Sequence, residues 1–488
     1  LYLAIKEIAE ELELQLNLDV YLPDREKDGY GVAMHTVERL AEEGTHLLIT
    51  VDCGIANVAE FERAEELGLK VIICDHHQLA ETVPQYATII HPLAPGETYP
   101  NKHLCGTGVA YKLAAGLFEE ARQRGAGFAK GYEKWYLDFV AIATVTDVMP
   151  ILGENRALER FGLTVLNKTR RHGIKQIIEF SRSELGSIDT QAIGFQIGPR
   201  LNAAGRISSA EIAFKALTSE TEEEARGHAE ELERLNRQRR AISDRAYKEA
   251  LIMVHDQLRQ ADEGITEQPM AIIVCSDHWN PGIVGLVAGK LVTEFGLPAF
   301  ALTKVGDHYV GSGRTAGGLH LVEAMNSAGD IYIKHGGHPQ ACGLSITPEK
   351  LTDFQQGIQA FAHKFFNGKA PIPELHVDIT LPLSEVTFEL LSSLEQLRPF
   401  GEGNREPIFA AHGVRLHSAD TVGKDNKHLR LIANTESGTI KGIGFNFGHL
   451  IDELDPDHPI DVVYRPSINE WNGRRELQFE LIDLKHTL

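Results

Sequence analysis

Acidic and imidazole side chains stand where predicted apolar segments end, and this combination is typical of a metal site. "HLLITVDCG" is typical of a strand that ends at Asp52, and "KVIICDHH" of a strand followed by Asp75, His76 and His77. Asp147 follows the apolar segment "WYLDFVAIATVTDVMP", which is a helix or a strand. Carboxylate and imidazole ligands suit Mn²⁺ and tolerate Mg²⁺. Two such ions bridged by one carboxylate can hydrolyse a phosphodiester, because one activates water and the other stabilises the departing oxygen.

The elements around these residues predict how they come together. A strand, the amphipathic helix "NVAEFERAEELG" and a second strand follow one another, an order that predicts a parallel sheet with helices on both faces. In such sheets ligands bind beyond the carboxyl ends of the strands, where Asp52, Asp75, His76 and His77 fall. Any one of these residues alone would more readily be a structural cap, but the set favours a functional site.

Pattern changes along the chain predict four regions. An α/β catalytic domain occupies 1–217, and one long helix without a Gly or Pro break after its first turns occupies 218–262. A second α/β pattern occupies 263–372. Short alternating segments with turn signals then predict a small β-barrel or sandwich over 373–488.

The composition narrows the class of protein. The chain has 488 residues, of which 43% are hydrophobic and 24% charged, as in ordinary globular proteins. Its apolar runs are too short for a membrane span. The five cysteines are scattered without a CxxC pair, which argues against a zinc or disulfide framework and predicts a reducing cytoplasm. The net charge of −21 argues against a protein that coats duplex DNA, but a nucleic-acid enzyme needs only a local basic cleft.

Several motifs resemble those of a known family. "VDCGI", "CDHH" and "ATVTDVMP" resemble, in order and spacing, the motifs of the DHH phosphoesterase superfamily. "YLPDREKDGYG" and "IGPRLNAAGR" are similar to motifs of its RecJ-type nucleases, and "GSGRT" and "HGGHPQACG" to those of the DHHA1 substrate domain. "LRPFGEGNREPIF" resembles the start of an oligonucleotide-binding (OB) domain. The resemblance covers essentially the whole chain. It implies a parallel-sheet DHH domain, a long connecting helix, an α/β DHHA1 domain and a C-terminal β-barrel OB domain.

The resemblance also implies roles for the acidic and imidazole residues. Asp52 would bridge two ions, Mn²⁺ or Mg²⁺, and His76 and Asp147 would complete one metal site. His77 would face the scissile phosphate and stabilise developing charge. Asp75 would orient His76 as a hydrogen-bond acceptor behind the metal site.

A second set of residues would hold the substrate and its 5′-phosphate. The resemblance assigns this role to Arg25, Asn202, Arg206, Ser312, Arg314 and His338. Arginine suits it because its planar fork binds phosphate oxygens in pairs. Since "GSGRT" lies between a predicted strand and a predicted helix, we expect anion binding at the N-terminus of that helix.

The predicted OB domain has an unfavourable charge for binding nucleic acid. Residues 376–488 contain 11 Lys or Arg and 18 Asp or Glu. Aromatic side chains can nevertheless stack on the bases of a single strand, although each is more often a core residue. The candidates are Phe445, Phe447, Tyr464 and Trp471.

The resemblance implies a metal-dependent 5′→3′ exonuclease that hydrolyses single-stranded DNA to mononucleotides, in DNA repair and recombination. The scattered cysteines predict that it acts in the cytoplasm. The resemblance implies a single-strand-binding protein and a RecQ-type helicase as partners. The alternatives are an oligoribonuclease or cyclic-dinucleotide phosphodiesterase of the same superfamily, and a non-catalytic single-strand-binding scaffold. The family's first motif, D-x-D-x-x-G, does not occur in the sequence. We therefore expect that the true beginning of the chain is missing; a chain complete without that motif would favour the scaffold.

Overall fold

The computed structural model describes residues 1–23, 28, 31–79, 81–436, 438–455, 458–471 and 473–487, apart from the side chain of Trp471. The chain forms two compact units. The larger unit comprises Leu1–Tyr99, Cys105–Thr146 and Gly162–Glu374, and the smaller unit comprises Pro100–Leu104, Asp147–Phe161 and Leu375–Leu488. Within the described ranges, no helix is both long enough and apolar enough to cross a membrane.

The larger unit begins with three parallel strands and the helices around them. In chain order these elements are α1 (Tyr2–Glu11), α2 (Met34–Glu42), β1 (Leu47–Val51), α3 (Val58–Glu66), β2 (Lys70–Cys74), β3 (Ala87–Ile90), α4 (Gly106–Gln123) and α5 (Leu137–Thr146). The strand order is β1–β2–β3, and both pairings are parallel. Val37 of α2, Phe61 of α3 and Ile73 of β2 share one buried core. The predicted parallel sheet is therefore present.

A helical region follows. Its elements are α6 (Gly153–Leu166), which begins in the smaller unit, and then α7 (His172–Ser181), α8 (Thr190–Ala192), α9 (Gly198–Ile207), α10 (Glu211–Thr218) and α11 (Glu222–Asp262). The 41 residues of α11 extend over about 60 Å at 1.5 Å per residue. Leu232 near its start packs with Ile177 of α7, whereas Ala250 and Val254 pack under the next sheet. The predicted connecting helix thus joins two hydrophobic cores.

The second sheet of the larger unit is mixed. Its region contains β4 (Ile272–Ser276), α12 (Val284–Phe295), β5 (Ala299–Val305), β6 (His308–Arg314), α13 (Leu321–Ser327), β7 (Tyr332–His338), β8 (Ala341–Ile346) and α14 (Leu351–Phe365). The order is β4–β5–β6–β8–β7, and only β4 and β5 pair in parallel among these strands. Successive residues of β5 face opposite cores: Ala301 packs with α11 and α12, and Phe300 with α13 and α14. Helices therefore cover both faces.

The smaller unit is built mainly from strands. Its elements are β9 (Ile379–Thr380), α15 (Phe388–Glu395), β10 (Phe409–Val414), β11 (Leu416–Val422), β12 (His428–Thr435), β13 (Gly438–Gly444), β14 (Ile460–Trp471) and β15 (Arg474–His486). The strand order is β11–β12–β13–β15–β14–β10–β9. The sequence pattern predicted short strands, but β14 and β15 have 12 and 13 residues. Within the smaller unit, Arg156 in the first part of α6 donates to the carbonyls of residues 396–398 at 2.8–3.1 Å, just after the end of α15.

Candidate metal centre and phosphate-binding site

The three parallel strands end at one edge of their sheet. Val51 lies opposite Cys74, and Cys74 lies opposite Ile90. The next residues continue the pairing, since the Asp52 N–H donates to the Cys74 carbonyl at 2.8 Å and the Asp75 N–H to the Ile90 carbonyl at 3.3 Å. The residue that follows the third strand is His91. The three neighbouring strands are thus each followed by a polar residue at the same edge of the sheet: Asp52, Asp75 and His91.

Asp52, His76 and His77 form a cluster that fits a divalent cation. One ligand atom from each residue lies within 4.8 Å of those of the other two. Asp52 Oδ1 is 3.1 Å from His76 Nε2. Asp52 is exposed and adopts a φ of +63°, a left-handed conformation that is strained for a residue other than glycine. A Cβ on Gly106, the first residue of α4, would overlap the Asp52 carboxylate, so glycine permits this close approach.

Asp75 is a buried carboxylate that holds the polypeptide around the cluster. Its Oδ1 accepts hydrogen bonds from the backbone N–H of His76 at 2.7 Å and of His77 at 3.2 Å, and lies 2.7 Å from His77 Nδ1. Its Oδ2 accepts from the Ile55 N–H at 3.0 Å. Burial alone would raise the pKa of Asp75, but these hydrogen bonds outweigh it and hold the pKa at about 2. The carboxylate is therefore ionised at neutral pH.

The ring that Asp75 contacts differs from the prediction. We expected Asp75 to orient the imidazole of His76, but its carboxylate bonds to the ring of His77 and only to the backbone N–H of His76. Because His77 Nδ1 donates to Asp75, the His77 Nε2 atom is directed away from that carboxylate. Asp75 thus fixes the orientation of the imidazole that we assign to the scissile phosphate.

His91 is a supporting residue that the sequence analysis missed. Its side chain is buried, and its Nδ1 accepts a hydrogen bond from the Leu93 N–H at 3.0 Å. The proton of the neutral ring is therefore on Nε2, which donates to the His77 carbonyl at 2.9 Å. Burial lowers the pKa of His91, which keeps this ring neutral. The signal that could have identified His91 is its position directly after the third strand.

Two predicted residues are not part of the described cluster. Asp147 is exposed and follows the last residue of α5, Thr146, but it is the first residue of a segment that belongs to the smaller unit. Its predicted role as a metal ligand stays a prediction. Arg25 lies outside the described residues.

Three of the predicted phosphate-binding residues surround the beginning of α12. Arg206 Nη1 donates to the Gly282 carbonyl at 3.1 Å, just before the helix. The position of a Cβ on Gly285, in its first turn, lies 2.9 Å from Arg314 Nη2 and 3.5 Å from Ser312 Oγ. Burial lowers the pKa of Arg314, so its cation is partly desolvated and would gain from an anionic partner. These groups, with a helix N-terminus, suit the binding of a phosphate.

This arrangement corrects the prediction for "GSGRT". The segment is the end of strand β6 rather than a loop, and α13 begins only at Leu321. The helix that Arg314 approaches is α12 instead. Asn202 lies one turn before Arg206 on α9 and is exposed. His338 is exposed on β7, and Ala341 of β8 pairs with both His338 and Arg314, which places the two residues at the same level of the sheet.

The aromatic residues that we considered for base stacking in the smaller unit differ in how deeply they are buried. Tyr464 is fully buried and packs against Phe409 and Phe479, so its predicted stacking role is wrong. Phe447 packs against the same core, whereas Phe445 is 52% exposed. The side chain of Trp471 lies outside the part of the chain that the structure describes.

Three family descriptions match the chain. "DHH family, N-terminal domain" matches residues 1–144, "DHHA1 domain" matches 267–364, and "RecJ OB domain" matches 377–483. They follow one another in the order of the two sheets of the larger unit and the strands of the smaller unit.

Curated and solved relatives extend over nearly the whole chain. It is 36% identical over 473 residues to the single-stranded-DNA-specific exonuclease RecJ of Bacillus subtilis, which covers 96% of this chain and 58% of that relative. It is 32% identical over 480 residues to RecJ of Salmonella typhimurium, which covers 96% and 82%. The crystal structure of RecJ from Thermus thermophilus in complex with Mn²⁺ has a TM-score of 0.81 at 27% identity, with 99% of this chain and 67% of that chain covered. The chain therefore spans little more than half of the Bacillus subtilis relative.

Proposed function

The chain belongs to the RecJ family of single-stranded-DNA-specific exonucleases, and we propose that it degrades single-stranded DNA from the 5′ end to mononucleotides. The predicted family and fold class are confirmed by this membership. The observation that carries the proposed activity is the cluster of Asp52, His76 and His77 in the same compact unit as Arg206 and Arg314. A metal-type site and a phosphate-type site together suit phosphodiester hydrolysis.

The donor atoms of the cluster support a divalent cation, Mn²⁺ or Mg²⁺, as the cofactor. Asp52 and His76 offer an oxygen and a nitrogen 3.1 Å apart, and we assign metal binding to these residues and to Asp147. The Thermus thermophilus relative contains Mn²⁺. When bound, such ions lower the pKa of water and neutralise phosphate charge. Because Asp75 holds a proton on Nδ1 of His77, the ring would donate to the scissile phosphate from Nε2 when it carries both protons.

The cations of the larger unit would determine which end of the strand enters. A terminal 5′-phosphate carries more charge than an internal phosphodiester, so it gains most from Arg206 and Arg314 near the start of α12. Ser312, Asn202 and His338 would add further hydrogen bonds. We assign the same role to Arg25, on the motif alone.

The biological setting follows from the family. We propose a role in DNA repair and recombination in the cytoplasm, with a single-strand-binding protein that presents the substrate and a RecQ-type helicase that generates it. The first would bind single strands and the second would produce them, and single-stranded DNA is the substrate named for the curated relatives. Binding of the purified protein to each partner, measured by calorimetry, tests this proposal.

The alternative activities have less support. An oligoribonuclease or cyclic-dinucleotide phosphodiesterase is not favoured, because the match to a RecJ OB domain over 377–483 and the curated relatives point to DNA. A non-catalytic scaffold has no physical need for Asp52, His76 and His77 to converge within 4.8 Å.

The decisive experiment is a nuclease assay with the full-length protein and Mn²⁺. Substrates are 5′-labelled and 3′-labelled single-stranded DNA, duplex DNA and single-stranded RNA. We expect labelled mononucleotide to appear first from the 5′ label, and Asp52→Ala to abolish it. Asp330→Ala, which removes an exposed carboxylate on the loop after α13, is the matched control and should retain activity. Tight binding of single strands without metal-dependent cleavage would instead establish the scaffold.

A further inference from the structure

An exposed phenylalanine lies on the helical stretch that carries two of the proposed phosphate-binding residues. Residues 190–207 form α8, a π-helical turn at Ile193–Ile197, and α9 without a break. Phe195, in the π-helical turn, is 76% exposed. No other Phe, Tyr or Trp side chain among those described is as exposed. Nothing in the catalytic or phosphate-binding roles above uses Phe195.

Phe195 is exposed on the same helical stretch as two of the proposed phosphate-binding residues. Along the stretch, Ile193, Ile197 and Arg200 point into the protein, whereas Phe195 and Asn202 are exposed. Asn202 and Arg206 lie one turn apart on α9. Phe195 lies 11 residues before Arg206 on the same stretch, which is on the order of 16 Å at 1.5 Å per residue.

The backbone that presents Phe195 is held firmly. A π-helical turn leaves carbonyls without their usual partner, and here Arg200 Nη1 donates to the Gln196 carbonyl at 2.6 Å. Arg200 is itself anchored by a buried ion pair with Glu233 of α11, at 2.8 Å. A Cβ on Gly198 would come within 2.5 Å of Thr146 Cγ2, so the stretch packs tightly against the end of α5. A rigid aromatic ring loses little conformational entropy when it binds a ligand.

We propose that Phe195 is a stacking platform for a base of the bound single strand. This proposal rests on the proposed function and adds a base-binding position to the phosphate site. Stacking on an aromatic ring is the usual way in which proteins hold single strands without reading sequence. Nucleotides advance at least about 3.4 Å each along a strand, so 16 Å corresponds to at most about five nucleotides from the phosphate at Arg206. Phe195 would thus contact one of the first five bases.

Stacking on Phe195 would also give the protein a preference for single-stranded over duplex DNA. A base can stack on Phe195 only when its face is free, and in a duplex both faces of an internal base are covered by its neighbours. The phosphate site alone cannot make this distinction, because a recessed duplex end also has a 5′-phosphate. Phe195 would therefore add selectivity as well as affinity.

The test combines three substitutions of Phe195 with a matched control. Phe195→Ala removes the ring, Phe195→Leu keeps an apolar side chain without a flat face, and Phe195→Trp keeps a flat face. Phe161→Ala removes another phenylalanine, 62% exposed, from α6 and serves as the control. KM and kcat are measured with Mn²⁺ on a 5′-phosphorylated dinucleotide and on a 12-mer. Binding is measured separately without metal, from the fluorescence of 2-aminopurine placed at each of the first five positions.

We expect Phe195→Ala and Phe195→Leu to raise the KM for the 12-mer on the order of tenfold, with a smaller rise for the dinucleotide and a smaller change in kcat. Phe195→Trp should restore KM, and Phe161→Ala should match the wild type. In wild type, 2-aminopurine should be quenched at one of the five positions, and Phe195→Ala should remove that quenching. Restoration by leucine, or identical quenching in wild type and Phe195→Ala, would overturn the proposal. Absence of cleavage by the wild type would refute the proposed exonuclease, while the quenching experiment still decides on Phe195.

Discussion

Two substitutions of His91 can separate the two hydrogen bonds that this buried ring makes. His91 Nε2 donates to the His77 carbonyl at 2.9 Å, and Nδ1 accepts from the Leu93 N–H at 3.0 Å. The amide nitrogen of glutamine reaches about as far as Nε2, so His91→Gln preserves the bond to His77. The amide oxygen of asparagine lies near the position of Nδ1, so His91→Asn preserves the bond to Leu93 instead.

The structure gives the expected magnitude of each effect. Each variant leaves one buried backbone group without a partner, which costs about 1–3 kcal/mol of folding stability. The two variants should therefore be destabilised to a similar extent. Only His91→Asn releases the backbone of His77. Loss of a hydrogen bond behind an active-site imidazole typically costs about 10–100-fold in activity, so we expect kcat to fall at least about tenfold in His91→Asn. We expect His91→Gln to stay within about threefold of the wild type.

The assay pairs kinetics with stability. Release of mononucleotides from a 5′-phosphorylated strand gives kcat and KM in Mn²⁺, and urea denaturation gives the free energy of unfolding. Similar losses of stability with a large difference in kcat would assign the effect to the position of His77. Equal kcat values in the two variants would refute the reasoning, because the bond to the His77 carbonyl would then have no part in catalysis.

Three further changes follow from the structure. Gly106→Ala should push the Asp52 carboxylate out of the cluster and weaken Mn²⁺ binding, measured by calorimetry, with the fold retained in circular dichroism. Burial raises the pKa of Glu159 from 4.5 to about 8, and neither of its oxygens has a hydrogen-bond partner within the described structure, so stability is lost as pH rises between these values. Glu159→Gln should therefore raise the free energy of unfolding, measured in urea, more at pH 9 than at pH 5, and the difference between the two increases should be at most about 5 kcal/mol. Glu62→Gln changes an exposed site and should show no such pH dependence. Arg314→Lys keeps the charge but loses the planar fork, so the KM for a 5′-phosphorylated strand should rise about tenfold, and less for a 5′-hydroxyl strand.

Local sequence was sufficient to place the first two strand ends. The apolar runs before Asp52 and Asp75 stop abruptly at a charged residue, and a helix of clear period separates them. Parallel pairing then brings the two ends together, as the register of β1 and β2 shows. The third strand has only four residues and follows β2 without a helix, so its short apolar run was not assigned as a strand. His91 was missed for that reason.

The prediction for "GSGRT" failed because strand β6 continues through its glycines. We had placed the segment between a strand and a helix, and expected anion binding at the N-terminus of that helix. A Cβ on Gly313 would lie 2.6 Å from both the Phe300 ring and Cys342 Sγ on the neighbouring strands. Glycine is therefore needed inside β6 to admit a large cross-strand neighbour, a tertiary requirement that the sequence does not display. The choice of ring that Asp75 binds is likewise set by side-chain geometry and not by spacing.

The strained backbone and the buried charge at the sheet edge favour a catalytic role over a structural one. Asp52 occupies a left-handed conformation that glycine would adopt without strain, and its carboxylate is exposed rather than used as a cap. Asp75 is 1% exposed and yet ionised, and it needs four hydrogen bonds to stay so. A strand end that only had to terminate would be more stable with small neutral residues at both positions. The strained Asp52 and the buried charge of Asp75 hold the donor atoms of Asp52, His76 and His77 close together in a fixed arrangement. Such an arrangement is useful only when an ion or a phosphate binds to it.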